Sequence, residues 1–192
     1  METDDIFEYM VTPTVDVTND NTKKEIGDVL SEIKTHLTKE ELLLFSLYKN
    51  SKQHNNRIPK LFLEKYHGKK LTSSAISHRK ARLMKVLKHV GILLRYKQAH
   101  NIDYLVKQIV TKKQFVIFMM YERRFSMKEI WEKVYNSKGN WTDTNKPTSS
   151  ISRCSYAALT RLQNNNNPDI GSYLHLVKNV LQFSRKFPKS KW

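Results

Sequence analysis

The apolar positions along the chain fall mostly into stripes of helical spacing. Ile26, Val29, Leu30, Ile33 and Leu37 recur at i, i+3, i+4, i+7 and i+11, which predicts an amphipathic helix over residues 22–36. From residue 37 the pattern repeats itself. Leu37-Thr38-Lys39-Glu40-Glu41 opens a helix carrying Phe45 and Tyr48, and Val110-Thr111-Lys112-Lys113-Gln114 opens another carrying Phe118 and Tyr121, each match 73 positions apart. Both openings read as capping boxes, Thr38 with Glu41 and Thr111 with Gln114, in which a hydroxyl and the side chain three residues on satisfy backbone donors. Leu42, Phe45, Leu47, Phe115, Phe118 and Met119 read as core.

A second helix is expected over about 58–67 in the first copy, with Pro59 in a first turn that tolerates it. In the second copy it lies over about 127–135, capped by Ser126 with Glu129. The third helices start at Thr72-Ser73-Ser74-Ala75-Ile76 and Thr148-Ser149-Ser150-Ile151, now 75 positions apart, with Leu83 matching Ala158 and Leu87 matching Leu162. Two capped starts and shared apolar spacing indicate a duplication. After the first third helix, Gly91 is placed to end the helix. Residues 92–97 and 102–107, joined by a polar stretch, then read as a β-hairpin. In the second copy either an irregular hairpin or a closing helix over 173–187, with Leu174, Val177 and Leu181 on one face, fits the residues. The expected fold is mainly α, two tandem three-helix (winged) helix-turn-helix units with short β-hairpin wings. They span residues 37–109 and 110–187, after an acidic tail (1–21) and the 22–36 helix and before a basic tail (188–192).

Charge sharpens this picture. The 192 residues carry a formal net charge of +16, with 34 Lys and Arg against 18 Asp and Glu. Residues 1–20 hold six of the acids and no base, and residues 52–100 hold 13 bases against Glu64 alone. A block so one-sided repels itself until a polyanion neutralises it, and nucleic acid is the usual one. The acidic tail is suited to mimic DNA and shield that block. No apolar run is long enough to span a membrane, and the start of the chain lacks a basic-then-apolar signal pattern. A single cysteine, Cys154, leaves no internal disulfide and points to a reducing compartment, cytoplasmic or nuclear. Five glycines form no phosphate-cradling motif, and the seven histidines show no short ligand spacing, so neither enzyme activity, metal nor cofactor is expected. Cys154 reads as a buried thiol.

A three-helix core that exposes its third helix can lay that helix in the major groove of B-form DNA while neighbouring loops hold phosphates. Rotation at 100° per residue turns Ile76, Leu83, Leu87 and Val90 inward and Ser74, His78, Ala81, Arg82, Lys85 and His89 outward. In the second copy Ile151, Ala158 and Leu162 turn inward, and Ser149, Ser152, Arg153, Tyr156 and Thr160 outward. Arg82 and Arg153 are the candidates for base readout, since a guanidinium binds guanine through two hydrogen bonds. Lys69, Lys70, Lys138 and Lys146, in the loops entering the third helices, are candidate phosphate contacts. Arg95, Lys97, His100 and Lys107 are candidate wing contacts.

Residues 110–163 resemble region four of bacterial sigma factors, through Phe125-Ser126-Met127-Lys128-Glu129-Ile130 and through Ser150-Ile151-Ser152-Arg153 with Ala157-Ala158-Leu159 and Leu162. Residues 37–107 are similar to MarR-type winged helices, through Thr72–Gly91 and the expected hairpin. The resemblance implies a groove-reading third helix: Ser77, His78 and Arg82 in one copy, and Ser152, Arg153 and Tyr156 in the other. Asn136–Pro147 is much longer than the tight turn of sigma region four, and the stretch before residue 37 is too short for a promoter-melting domain. A free-standing sigma factor is therefore not expected. The sequence thus predicts a sequence-specific double-stranded DNA-binding protein with a role in transcription regulation and contacts to the transcription machinery. The 22–36 helix either packs on the following unit or pairs with a second copy. Three alternatives stay open: a replication or partition protein of a plasmid or virus, a winged-helix interaction adaptor, and an RNA-binding protein.

Overall fold

In the computed structural model, residues 30–50, 57–135 and 147–184 are described, and every regular element among them is helical. In chain order these are α1 (residues 30–35), α2 (Lys39–Asn50), α3 (Arg57–His67), α4 (Ser73–Ala99), α5 (Ile102–Ile109), α6 (Lys112–Glu122), α7 (Met127–Tyr135), α8 (Pro147–Gln163) and α9 (Pro168–Leu181). The acidic tail, most of the amphipathic stripe before Leu30, the long Asn136–Lys146 connection and the basic tail lie outside the described residues.

The expected caps set the helix starts. The Thr38 hydroxyl accepts from Glu41 N at 3.3 Å while the Glu41 carboxylate accepts from Thr38 N at 2.9 Å. Thr111 and Gln114 repeat both bonds at 3.3 and 3.1 Å, and Ser126 and Glu129 do so at 3.2 and 2.8 Å. Helix α3 stops at Gly68, whose φ of +63° suits a residue without Cβ. Helix α6 stops with the paired bonds Phe125 N to Met120 O and Arg124 N to Tyr121 O, and Arg124 sits at φ +66°. The Arg124 guanidinium holds the Phe183 carbonyl at 3.2 Å, a contact that helps offset the roughly 1 kcal/mol a non-glycine residue forfeits there.

The hairpin wings are not seen among the described residues. Residues 92–97 continue α4 straight through Gly91, and residues 102–107 belong to α5. Gly91 lowers helix stability by about 1 kcal/mol relative to alanine. Flanking Val90 and Leu93 are both fully buried, and burying one such side chain contributes about 1.5–3 kcal/mol, so burial wins. In the second copy the corresponding helix does break. Pro168 cannot donate to the preceding turn, Asn167 caps the new start by accepting from Asp169 N at 2.9 Å, and the closing helix α9 follows.

The described residues divide into two compact units at Gly91–Ile92, inside α4 and ahead of the expected 109/110 boundary. In the first, Ile33, Leu37, Leu44, Phe45, Leu63, Leu71, Ile76, Leu83, Val86, Leu87 and Val90 are buried. In the second, α6, α7 and α8 pack on one another, with Ile117, Ile130 and Ile151 fully buried among Met120, Phe125, Trp131 and Cys154. Helix α9 packs on α5, α6 and α8. The 73-position spacing of matching residues reaches one helix further back than residue 37. Ile33 and Val106, 73 apart like the later pairs, are both buried, as are Leu37 with Val110, Glu41 with Gln114, Leu44 with Ile117 and Phe45 with Phe118. Leu42, Leu47, Phe115 and Met119 are half-buried beside them.

Candidate nucleic-acid interface

Helix α4 starts on Thr72, whose hydroxyl accepts from Ala75 N at 3.1 Å and whose carbonyl takes Ile76 N. With Ile76, Leu83, Val86, Leu87 and Val90 turned into the core, Ser74, Ser77, His78, Ala81, Arg82 and Lys85 are exposed on the opposite side. Lys88 extends this face, and the helical spacing from Lys85 is enough to place it there. Ser74 to Lys88 covers about 21 Å at 1.5 Å per residue. Lys69 and Lys70 are exposed in the turn before Leu71.

Arg79 and Lys80 of α4 make contacts within the first unit. The Arg79 guanidinium donates from Nε to the Glu40 carboxylate on α2 at 2.5 Å, and its Nη2 lies 3.2 Å from His67 Nε2 at the end of α3. Burial works against the Glu40 charge, but Arg79 first and His67 second outweigh it and hold the carboxyl below its ordinary range. The Lys80 ammonium stands 4.8 Å over the Tyr48 ring. His89 is half-buried, and burial together with neighbouring Lys88 lowers its pKa, so it sits at the flank of the outward face as a neutral group near pH 7. Arginine, lysine and histidine side chains on one helix are thus sorted: 79 and 80 position α4, while 78, 82, 85 and 88 face out.

Helix α8 presents less charge. Arg153 and Tyr156 are exposed, Tyr156 by 51%, while Ser149, Ser152 and Thr160 are half-buried. Arg161 is held from Nη1 by Gln114 Oε1 at 3.0 Å. Ser155 returns its hydroxyl to the Ile151 and Ser152 carbonyls at 3.1 Å. Cys154 is half-buried, and burial raises its thiol pKa. Lys146 lies outside the described residues.

The supposed wing residues part company. Arg95 and Lys107 are exposed, Lys107 with its ammonium 5.1 Å from the Phe115 ring centre. His100 stacks on Tyr96 at 4.1 Å and lies 3.1 Å from Asp169, to which the Tyr96 hydroxyl also donates. Lys97 turns inward. With 9% of its side chain exposed, its ammonium donates to Glu122 at 2.8 Å and pairs with Asp103 at 3.0 Å. The Tyr173 hydroxyl bonds the second Glu122 oxygen. Burial lowers the Lys97 pKa, but the Glu122 and Asp103 charges outweigh it and raise it overall. Burial, then the Glu122 charge, drives Tyr173 well above its ordinary value. This charged core has one sequence signal: Lys49 stands 73 positions before Glu122, so a buried acid replaces an exposed base at matching places in the repeat.

No group of three or more His, Cys, Asp or Glu residues able to hold a metal occurs among the described residues, and no described helix is long and apolar enough to cross a membrane. No family model, no curated protein and no solved structure matches the chain.

Proposed function

We propose that this protein binds double-stranded DNA sequence-specifically as a transcription regulator, with two tandem three-helix units that each offer their third helix, α4 and α8, to the major groove. One observation carries the reading: α4 keeps Arg79 and Lys80 for its own unit and turns Ser74, Ser77, His78, Arg82, Lys85 and Lys88 away from the core. Small hydroxyl residues let the helix approach base edges closely, and the bases beyond them match the phosphate walls of a groove. Arg82 is the assigned base reader of α4, and Lys69, Lys70, Lys85 and Lys88 are assigned to phosphates. On α8, at the 75-position offset, Arg153 stands at the place of His78 and Tyr156 at that of Ala81, while Ala157 and Thr160 stand where α4 has Arg82 and Lys85, so the first unit supplies more of the affinity.

A site is first selected from a randomised duplex library, and binding is followed by fluorescence anisotropy. If four lysines neutralise phosphates, affinity falls about 150-fold between about 50 and about 200 mM salt. Arg82→Ala should flatten the base preference at one position at a loss of roughly 1–3 kcal/mol. Affinity that does not change over that salt range, with no sequence enriched, overturns the proposal.

A further inference from the structure

Helix α3 is apolar on both sides. Pro59 and Leu63 are buried in the first unit, yet Ile58, Leu61, Phe62 and Tyr66 are 45%, 54%, 48% and 51% exposed. At 100° per residue these four fall within a sector of about 140° centred away from Leu63, with exposed Lys65 in its middle. A surface helix normally carries one apolar stripe, and a second, exposed one marks a place where another chain segment sits. Arg57 borders the stripe, Lys65 lies within it, and exposed Lys69 and Lys70 follow the helix in the turn after Gly68. The one acid on α3, Glu64, is engaged with Leu71 N at 3.1 Å. The stripe therefore calls for an occupant with large apolar side chains interspersed with acids.

The chain contains such a segment. Asp4-Asp5-Ile6-Phe7-Glu8-Tyr9-Met10 places four large apolar residues among three acids, within twenty residues that carry no base. It precedes Leu30, the first described residue of the same unit, by about twenty residues, a tether able to extend to about 65 Å. The outward face of α4 offers this segment charge but no apolar anchor, whereas α3 offers both. We infer that the exposed stripe Ile58-Leu61-Phe62-Tyr66 on α3 is the docking site of the chain's own acidic and aromatic segment, residues 4–10.

The test needs no DNA, so its failure is separate from failure of the DNA-binding reading. Full-length protein carrying benzoylphenylalanine in place of Phe62, or in a second variant in place of Leu61, is irradiated at low micromolar concentration, and the joined peptides are mapped by mass spectrometry. Both positions are exposed, and far-UV circular dichroism verifies each fold. The expected product is an intramolecular crosslink to residues 1–20, reduced about tenfold by Phe7→Ser, the loss expected on removing one large buried apolar side chain. Hydrogen exchange of α3 should rise when residues 1–20 are deleted. Crosslinks to a second copy, crosslinks elsewhere in the chain, no crosslink, or a yield indifferent to Phe7→Ser each overturn the inference.

Discussion

Replacing Lys97 by methionine should strip a carboxylate in the core of its ammonium partner. Glu122 is fully buried, one of its oxygens takes the Lys97 ammonium and the other the Tyr173 hydroxyl. Asp103, the second partner of Lys97, is 53% exposed and regains water when the amine is lost, so it adds little. Breaking a buried pair from one side costs about 3–5 kcal/mol. With a urea dependence of about 2 kcal/mol per molar, the unfolding midpoint should fall by about 2 M. Trp131 packs beside Ile117, Ile130 and Ile151 and reports the second unit when Trp141 and Trp192 are replaced by phenylalanine. Glu122→Leu alone leaves Lys97 with its exposed partner Asp103, strands the buried Tyr173 hydroxyl and should also destabilise, by about 1–3 kcal/mol for the hydroxyl. The triple variant Lys97→Met, Glu122→Leu, Tyr173→Phe removes every member together and should return to within about 1 kcal/mol of the parent or exceed it. If Lys97→Met moves the midpoint by less than about 0.3 M, or if the triple variant is as weak as the single one, the buried charge is not held as described.

The same cluster sets an alkaline limit. Lys97 and Tyr173 both keep their protons in the fold past their ordinary values of 10.5 and 10.0, so the unfolded chain releases protons first. Their contribution is complete below about pH 10 and is lost above it, with a slope approaching 2.7 kcal/mol per pH unit for two protons. A melting temperature that stays level from about pH 9 to about pH 11 contradicts this, and the triple variant should show a shallower slope. Thr38→Ala and Thr111→Ala each remove a capping box and should destabilise their own unit by about 1 kcal/mol in urea titrations, while Ser46→Ala, at an exposed non-cap position, should change little.

The helices and their starts were legible because they rest on local chemistry. A hydroxyl three residues before a carboxylate or amide marks a start whatever surrounds it, and Thr38, Thr111 and Ser126 all behave so. The outward face of α4 was legible for the same reason, since Ile76, Leu83, Leu87 and Val90 fix the inward side. The stretch from 92 to 107 misled because Gly91 and the polar residues 98–101 punctuate it like a hairpin. Leu83, Val86, Val90, Leu93 and Lys97 nevertheless continue at three- and four-residue steps, and Ile102, Val106 and Ile109 resume them. Tertiary burial, not propensity, decided between the two periods. Lys97 and Glu122, 25 positions apart, could not be paired from the sequence, because nothing local says that a lysine in a basic block turns inward.

One consequence concerns how such a protein diversifies. The division between its two compact units falls inside a 27-residue helix, so no loop lies at that point where a recombination event could swap one unit and spare the other. A crossover at Gly91 would cut between Val90 and Leu93, both fully enclosed side chains, and injure both halves at once. The two halves are therefore inherited together, and they differ by point changes, such as the one that separates Lys49 from Glu122, and by the two residues that lengthen the offset from 73 to 75.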